Sequence, residues 1–531
     1  MKKVDLTRRG FVGASAAAGA VAASSSAINP AKAQDKRTMT IRGPRDIHII
    51  DPGYMVGGVE AWIEWACLPQ LARYKKGHEW GWEPSIFVER LEWEDSTHIG
   101  FTLKKGMQWS GGYGEVTTED VKYSLERIKG SQWEDFLAAL DHVEIIDDYS
   151  GRIVLEFPFA PIMLIGLCYP TGSILCKKAL EEVGGTYTTE FPAIGGQYEM
   201  VEWTPKQRLV LEPNPDWVGE APAVDRIEVI NIEDEKAAEL AYEAGEIDLT
   251  EISLDSVLRY QEELADDSNL LMLPGLRYAW IGMNTEHPKL QDIRVRKAIQ
   301  RAIDVDTILE GAYSGITPKG HGIVPPGLPG ARSESGYSYN IEEARALIQE
   351  AGAEGLELEF VTLNKADRLA AATIAQANLA EIGIVLDIVP LEGGPFWSQG
   401  LESEGEDWKD LQLWMMRYGG SPDPYDMFQW FVRSQVGVWN WERWSDDEFE
   451  ELYAAGLRET DTAKRAEIYV RMQEIMEDTG AYVWIGHDPS PILYRDTIDP
   501  WITPSSPASN GPDEAFLKRP EARQRCPASF V

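Results

Sequence analysis

The sequence predicts an α/β fold divided into more than one lobe, and three observations carry this prediction. Strand-like runs alternate with amphipathic helical segments along most of the chain, which is typical of α/β proteins. The 531 residues exceed what a single hydrophobic core usually holds. The composition, 44% hydrophobic and 26% charged, is that of a globular protein. We therefore expect two or three α/β lobes.

Helices are predicted where apolar residues recur at helical spacing between end signals. The segments are 117–128, 292–304, 340–352 and 464–478. The first begins at Thr117, and Asp120 three residues later completes the pattern of a capping box. The third has Asn340 as its N-cap, and Gly352 is a stop signal.

Two segments show the pattern of strands. VEWTPKQRLVLEPN (201–214) indicates a strand, a Thr-Pro turn and a second strand. LQLWMMRY (411–418) is almost continuously apolar and is followed by two glycines, which favours a buried strand. The last segment, 503–531, is rich in Pro, Ser and Ala, and we expect a poorly packed tail there.

Residues 1–33 have the features of an export signal peptide. A basic start precedes a short Ala, Gly and Val run and Ala31-Lys32-Ala33, an A-x-A cleavage pattern. The apolar run is too short to anchor the chain in a bilayer. Thr7-Arg8-Arg9-Gly10-Phe11-Val12 resembles the twin-arginine signal, and an ordinary Sec signal is the alternative. We expect cleavage before Gln34 and a soluble periplasmic protein.

Charge and cysteine content exclude several kinds of partner. A formal net charge of −37 argues against nucleic acid and anionic lipid surfaces, because both are bound by basic patches. The chain has four cysteines without a C-x-x-C motif, so neither a metal site nor a cofactor is predicted. Cys168 and Cys176 are close enough in sequence to form a disulfide in an oxidising compartment, but geometry decides whether they do.

Binding is favoured over catalysis by the motifs that the chain contains. G-x-S-x-G, H-E-x-x-H and the P-loop are absent, and no nucleophile stands out. The chain has 19 Trp and 20 Tyr, several of them in loops rich in Pro and Gly. Aromatic faces in such loops can stack on sugars, hold cations or line an apolar pocket. We expect a protein that binds a solute and is not an enzyme.

Seven segments, in this order, resemble the solute-binding proteins of ABC importers in the peptide, opine and nickel family. LKKGMQWSGGYGEVTTEDVKYSLERI (103–128) is similar to that family's hallmark, although Ser110-Gly111 replaces its usual Asp-Gly. The other segments are 201–217, 244–249, 292–304, 339–352, 377–388 and the Asp-Pro pair at 423–424. The likeness runs from about residue 40 to about residue 495.

The resemblance implies a periplasmic-binding-protein-like fold of two lobes, a Venus flytrap, with an extra domain inserted in lobe one. Lobe one is expected at 38–280, with the insertion at about 75–190. Lobe two is expected at 281–485, and 486–531 returns to lobe one and ends in the tail. The crossovers are expected near 279–288 and 481–489. A solute is captured between the lobes, which close on it, and is delivered to an inner-membrane permease.

The anchors by which dipeptide-binding members of the family hold their ligand are altered here. Their acid for the peptide amine corresponds to Gly420. Their arginine for the peptide carboxylate corresponds to a place near Thr362, with Arg368 six residues further on. The usual anchors of a short peptide are therefore not predicted from the sequence, and Arg417 is expected near the cleft at a place where a Trp is common.

Residues 417–431, RYGGSPDPYDMFQWF, are expected at the mouth of the cleft. Prolines on both sides of Asp423 fix φ and stiffen the loop. Asp423 is either a ligand contact or the cap of a helix beginning near Tyr425. Arg417 ends a buried strand and needs a carboxylate partner, and we favour that of a ligand over a structural acid.

Four aromatic residues complete the predicted ligand-binding set. Tyr54 lies in the segment expected to line the lobe-one side of the cleft. Trp397 resembles a position where related proteins stack a ring on the ligand, and a loop anchor is the alternative. Trp414 and Tyr418 alternate with their neighbours, so that one face of their strand points into the cleft and the other into the core. Trp430, on the helix after the loop, is assigned to the core.

The sequence therefore favours a monomeric periplasmic receptor for a peptide or an opine-like solute. An oligosaccharide stacked on tryptophans is the alternative ligand. A secreted carbohydrate-active enzyme is the alternative of a different class, because 87 acidic residues leave room for a pair of catalytic carboxylates. A nickel receptor is disfavoured, because the seven histidines show no ligand spacing.

Overall fold

The computed structural model describes residues 37–55, 57–77 and 80–500, and the backbone of 516–517. The predicted signal peptide, Cys526 and nearly all of the predicted tail lie outside the described residues. None of the helices in the described part is long and apolar enough to cross a bilayer.

The strands of the described residues belong to one large sheet and four small ones. In chain order they are β1 (Thr38–Gly43), β2 (Ala72–Tyr74), β3 (Trp82–Pro84), β4 (Val88–Asp95), β5 (His98–Leu103), β6 (Gln108–Trp109), β7 (Gly114–Glu115), β8 (Leu140–Ile145), β9 (Ser150–Leu155), β10 (Tyr198–Thr204), β11 (Arg208–Pro213), β12 (Arg226–Asn231), β13 (Leu249–Glu251), β14 (Ser268–Met283), β15 (Glu357–Leu363), β16 (Val385–Leu391), β17 (Leu413–Tyr418), β18 (Tyr482–Arg495), β19 (Ile498–Asp499) and β20 (Phe516–Leu517).

The large sheet has the strand order β10-β11-β12-β1-β13-β18-β14-β17-β15-β16. At one end, β1 pairs in parallel with β12 and β13. At the other end, β15 pairs in parallel with β16 and β17. The long strands β14 and β18 lie antiparallel between these two groups and connect them. A separate antiparallel sheet, β4-β5-β9-β8, lies within the segment for which the inserted domain is predicted.

The α-helices pack against these sheets, and several have the ends that the sequence predicts. They are α1 (Gly58–Cys67), α2 (Thr118–Glu126), α3 (Lys177–Glu182), α4 (Glu235–Glu243), α5 (Val257–Glu262), α6 (Ile293–Ala302), α7 (Val305–Tyr313), α8 (Ile341–Ala351), α9 (Ala366–Ala380), α10 (Gly393–Ser398), α11 (Pro424–Phe428), α12 (Asp447–Arg458) and α13 (Thr462–Asp478). Thr117 and Asp120 form the predicted capping box of α2. Asn340 caps α8, and Gly352 ends it in the left-handed conformation at φ 64°. The predicted α/β class is confirmed.

Two sets of apolar residues form the interior, and the central strands contribute to both. The first core collects residues of 39–260 with Leu273 of β14, Ile492 and Leu493 of β18, and Ile498. The second core collects residues of 276–485, including Ile281 of β14 and Val483 of β18. Burial of these apolar surfaces is the main stabilising contribution to each half.

The central strands pass from one core to the other at a Pro-Gly step. The register of β14 against β18 shifts between Leu273 and Arg277. A Cβ atom added to Gly275 would lie 2.0 Å from the carbonyl oxygen of Asp488, so only glycine allows the strands to approach this closely. This change of core in β14 lies a few residues before the predicted crossover at 279–288, whereas Asp488 lies inside the predicted crossover at 481–489. The lobe boundaries as such stay a prediction.

The cysteines that the structure describes are unpaired. Cys67, Cys168 and Cys176 are all buried free thiols in the first core. The disulfide considered for Cys168 and Cys176 is not formed, and burial raises the pKa of both thiols, which makes them poor nucleophiles.

Candidate functional site

A cavity of about 480 Å³ lies between the two cores, next to the point where β14 crosses. Its first wall comes from the first core and its second wall from β14 and the loop that follows β17. The first wall consists of Trp65, Tyr74, Gln132, Trp133, Asp135, Phe136, Ile165 and Tyr169. The second wall consists of Leu276, Gly419, Gly420, Ser421, Pro422, Tyr425, Asp426, Gln429 and Trp430. The volume is in the range of sites that hold small organic ligands.

An aromatic cluster forms much of the first wall. The rings of Trp133, Phe136 and Tyr169 pack on one another with centroids 5.0–6.0 Å apart. Trp65 packs edge-on against Tyr74 at 6.2 Å. These arrangements fix the rings before any ligand arrives, which reduces the entropy lost on binding.

The loop before α1 holds this cluster in place. The indole Nε1 of Trp133 donates a hydrogen bond to the carbonyl oxygen of Met55 at 2.9 Å. The backbone N of Gln132 donates to the carbonyl oxygen of Gly53 at 3.1 Å. Asp51 at the start of the loop is buried and accepts two hydrogen bonds from Arg127, both 2.8 Å. A paired buried charge thus anchors the loop on which the first wall depends.

The second wall is built on α11 and the residues before it. Tyr425 stacks on Tyr453 with centroids 5.1 Å apart and also contacts Phe159 of the first core. Trp430 packs against Tyr418 and Trp439, each at 6.3 Å. The two halves therefore touch beside the cavity through Phe159 and Tyr425.

Asp423 is a structural residue of this wall and does not face the cavity. It is 1% exposed and accepts hydrogen bonds from Arg465 Nη1 and Nη2 at 3.0 and 2.9 Å. Its Oδ1 also accepts from the backbone N of Tyr425 at 3.0 Å, which makes it the N-cap of α11. The helix cap, one of the two roles considered for Asp423 in the sequence, is the one that the structure shows.

Asp426 is the acid that this loop presents to the cavity. Its Oδ2 accepts a hydrogen bond from the backbone N of Ser421 at 2.6 Å, and its Oδ1 accepts from the side chain of Gln429. Burial raises the pKa of Asp426, and the neighbouring charge of Asp423 raises it further. Among the described residues, no Lys, Arg or His forms an ion pair with it.

Arg417 has a structural acid as its partner. Its Nε lies 3.1 Å from Oδ2 of Asp488, and its Nη2 lies 3.7 Å from Oδ2 of Asp367. Its guanidinium also lies over the ring of Tyr313, 5.6 Å from the centroid. The side chain is 22% exposed and is not part of the cavity wall. Arg417 therefore joins β17 to β18 beside the crossover, whereas a ligand carboxylate was the partner favoured from the sequence.

The other predicted residues lie around the cavity instead of lining it. Trp414 is 0% exposed and packs on Trp441, because both faces of β17 are covered. Tyr418 supports Trp430 and donates its hydroxyl to the carbonyl oxygen of Trp439 at 3.1 Å.

Tyr54 and Trp397 are partly exposed, at 38% and 37%. Tyr54 belongs to the loop that holds Trp133, and Trp397 contacts Trp439 at 6.4 Å. A ligand contact by any of the six predicted residues stays a prediction.

Several side chains that line the cavity were not predicted from the sequence. Trp430, assigned to the core, lines the second wall, and Trp65, Trp133, Phe136, Tyr169 and Asp426 were not singled out. The one signal in the sequence was the clustering of rings and acids in and after the Pro-Asp-Pro loop. Among the described residues, no group of three His, Cys, Asp or Glu side chains is placed to hold a metal ion.

Known proteins share this sequence pattern and architecture. A family described as "Bacterial extracellular solute-binding proteins, family 5 Middle" matches residues 83–439. The dipeptide-binding protein of Escherichia coli (strain K12) is 25% identical over 431 residues, which cover 74% of this chain and 78% of that protein. The periplasmic oligopeptide-binding protein OppA of the same strain is 24% identical over 512 residues, or 88% and 89% of the two chains.

A solved structure has the same fold. The ABC transporter substrate-binding protein CtaP of Listeria monocytogenes matches with a TM-score of 0.77 at 21% identity, over 92% of this chain and 100% of that chain. The likeness confirms the two-lobe α/β fold. Since the family match spans most of the chain, this protein belongs to the bacterial extracellular solute-binding proteins of family 5, the ABC-importer receptors that its ordered motifs resemble.

Proposed function

We propose that the protein is the periplasmic substrate-binding component of an ABC importer for a peptide or an opine-like solute. The observation that carries this proposal is the aromatic cavity between the two cores, at the crossover of the strands that join them. A ligand that contacts both walls favours the closed form by its differential affinity for it. The monomeric protein then delivers the ligand to the permease and makes or breaks no covalent bond.

The chemistry of the cavity and the relatives support a peptide-like ligand. The relatives are named for dipeptide and oligopeptide binding. Gly419 and Gly420 in the second wall have no large side chain, so a ligand can approach their backbone closely. The aromatic cluster of the first wall offers apolar faces for ligand side chains.

Tryptophan fluorescence and thermal shift test this proposal directly. Trp65, Trp133 and Trp430 line the cavity, so binding of the right solute should change the emission and raise the melting temperature. The panel contains di- to pentapeptides, opines, oligosaccharides and betaines. Trp430→Phe should reduce the emission change, whereas Trp217→Phe, a half-buried residue outside the cavity, should leave it intact.

An oligosaccharide is the second candidate ligand, because the rings of both walls can stack on sugars. If an oligosaccharide binds more tightly than every peptide and opine, the protein is still a receptor, but its ligand is a sugar. Conversion of any panel member into a product would contradict the receptor role and favour the carbohydrate-active enzyme. The reaction mixtures are therefore analysed by mass spectrometry after incubation.

A further inference from the structure

The charge in the cavity is unbalanced. Its walls contain two carboxylates, Asp135 on the first wall and Asp426 on the second. None of the described residues that line it is Lys, Arg or His. By contrast, Asp423, three positions before Asp426, is neutralised by Arg465. The fold therefore pairs one acid of the loop and leaves the other for the cavity.

Asp426 is in a setting that a positive charge would stabilise. In the described part of the chain, its two oxygens accept hydrogen bonds from neutral donors only, the backbone of Ser421 and the amide of Gln429. Burial raises its pKa, because removal from water disfavours the charged form more than these hydrogen bonds favour it. A cationic nitrogen in the cavity would supply the missing charge and would gain a charge-assisted hydrogen bond.

The aromatic rings add to this preference. Trp133, Phe136 and Tyr169 on one side and Trp430 on the other line the same cavity as the two acids. Ring faces attract cations and also bury apolar groups. A solute with a positive nitrogen attached to an apolar body satisfies both parts of the lining.

A free carboxylate, by contrast, has no cationic partner among the described lining residues. The two acids of the walls repel it. Arg417 lies outside the wall and is engaged by Asp488. The acidic character of the whole chain adds to the effect, because a formal net charge of −37 attracts cations and repels anions at long range.

We propose that the cavity selects a cationic solute with an apolar or aromatic body, whose nitrogen binds Asp426 with Asp135 on the opposite wall, and that it disfavours a free carboxylate. The inference rests on the proposed function, since it concerns the same cavity. It narrows the ligand to peptides whose C-terminal carboxylate is blocked or absent and to amines of similar shape, and it argues against opines, which carry free carboxylates.

Isothermal titration with three matched peptides tests the charge preference. The peptides are Leu-Phe amide, Leu-Phe with its free carboxylate, and N-acetyl-Leu-Phe amide. We expect the amide to bind at least tenfold more tightly than the free acid, and the acetylated peptide to bind at least tenfold more weakly than the amide. Equal or tighter binding of the free acid, or of the acetylated peptide, overturns the inference.

Variants test which carboxylate causes the charge preference. Asp426→Asn should lower the affinity for Leu-Phe amide at least tenfold and should reduce the difference in affinity between the amide and the free acid. Asp135→Asn should weaken it severalfold, and this exposed residue has no described side-chain bond, so its loss should not affect folding. The control is Asp447→Asn, whose exposed side chain pairs with Arg433 away from the cavity, and it should change neither affinity. If both cavity variants keep the wild-type preference for the amide over the free acid, the inference is wrong. If Asp426→Asn does not fold, the result for Asp135→Asn alone decides whether the inference holds.

Two further ligands separate this inference from the proposed function. If none of the three peptides binds, the peptide-receptor proposal loses its support, and 2-phenylethylamine and 3-phenylpropionate are compared instead. Binding of the amine alone supports the charge preference without the peptide function. Binding of the propionate, or of neither compound, overturns the charge preference.

Discussion

The ion pair between Asp423 and Arg465 should stabilise the folded protein strongly, and Asp423→Ala tests this. Both residues are buried, at 1% and 6% exposed, and two hydrogen bonds of 3.0 and 2.9 Å join them. Arg465 also donates to the carbonyl oxygen of Gly456 at 2.8 Å and to the hydroxyl of Tyr469 at 2.8 Å. The guanidinium therefore stays in place when its carboxylate partner is removed.

The size of the loss follows from two contributions. Breaking a buried ion pair leaves an uncompensated charge, which costs about 3–5 kcal/mol. Asp423 also caps α11, and loss of an N-cap costs about 1 kcal/mol more. We expect Asp423→Ala to lower the free energy of unfolding by about 4–6 kcal/mol.

The double variant Asp423→Ala/Arg465→Met should recover most of this loss. It removes both charges, and Tyr469 still donates to the carbonyl oxygen of Gly456 at 3.2 Å. The remaining deficit should be about 1–2 kcal/mol, mainly from the lost cap. Urea unfolding followed by circular dichroism measures all three proteins. A single variant that loses less than about 1 kcal/mol while solute binding disappears would refute the structural role and return Asp423 to the ligand site.

Three further predictions concern the second core and the crossover. Burial raises the pKa of Glu442 from 4.5 to about 8, so the contribution of Glu442 to stability should fall as pH rises from 4.5 to 8. In urea titrations at several pH values, the stability of Glu442→Gln relative to wild type should rise by up to about 5 kcal/mol across that window, and a difference that does not change with pH contradicts this. Gly275→Ala should lower stability by about 1–3 kcal/mol by forcing β14 from β18, whereas Gly394→Ala, with nothing within 4 Å, should not; equal melting temperatures of these two variants would contradict the close approach. Arg417→Ala should lower stability by about 2 kcal/mol because buried Asp488 loses a partner, and solute affinity measured by titration should change less than threefold. A tenfold loss of affinity at unchanged stability would show that Arg417 binds the ligand.

The features that the sequence predicted well depend on short-range chemistry. The capping box of Thr117 and Asp120, the cap at Asn340 and the left-handed Gly352 all involve partners within four residues. The ordered motifs predicted the family and the two-lobe fold because each reflects a local pattern that survives at low identity. β17 was also predicted as a buried strand, from its apolar run and the two glycines that follow it.

The features that the sequence did not predict depend on contacts between distant segments. Trp133 and Trp430 meet across the cavity although about 300 residues separate them, and neither periodicity nor composition specifies such a meeting. Trp414 was expected to face the cleft because side chains alternate between the two faces of a strand, yet both faces of β17 are buried at this point. The partner of Arg417 could be a ligand or an acid, and only the pairing of β14 with β18 brings Asp488 beside it.

The Pro-Asp-Pro loop shows why a stiff wall suits a receptor. Two prolines restrict the backbone, Asp423 fixes it to α13 through Arg465, and Tyr425 stacks on Tyr453. These contacts fix the loop before a ligand binds, so that the ordering of Asp426 costs little affinity. The same reasoning predicts that loosening the loop by Pro422→Ala should weaken binding by raising the entropy cost, with Asp426 unchanged. Equal affinity and equal binding entropy of this variant and wild type, measured by titration calorimetry, would show that the loop needs no such stiffening.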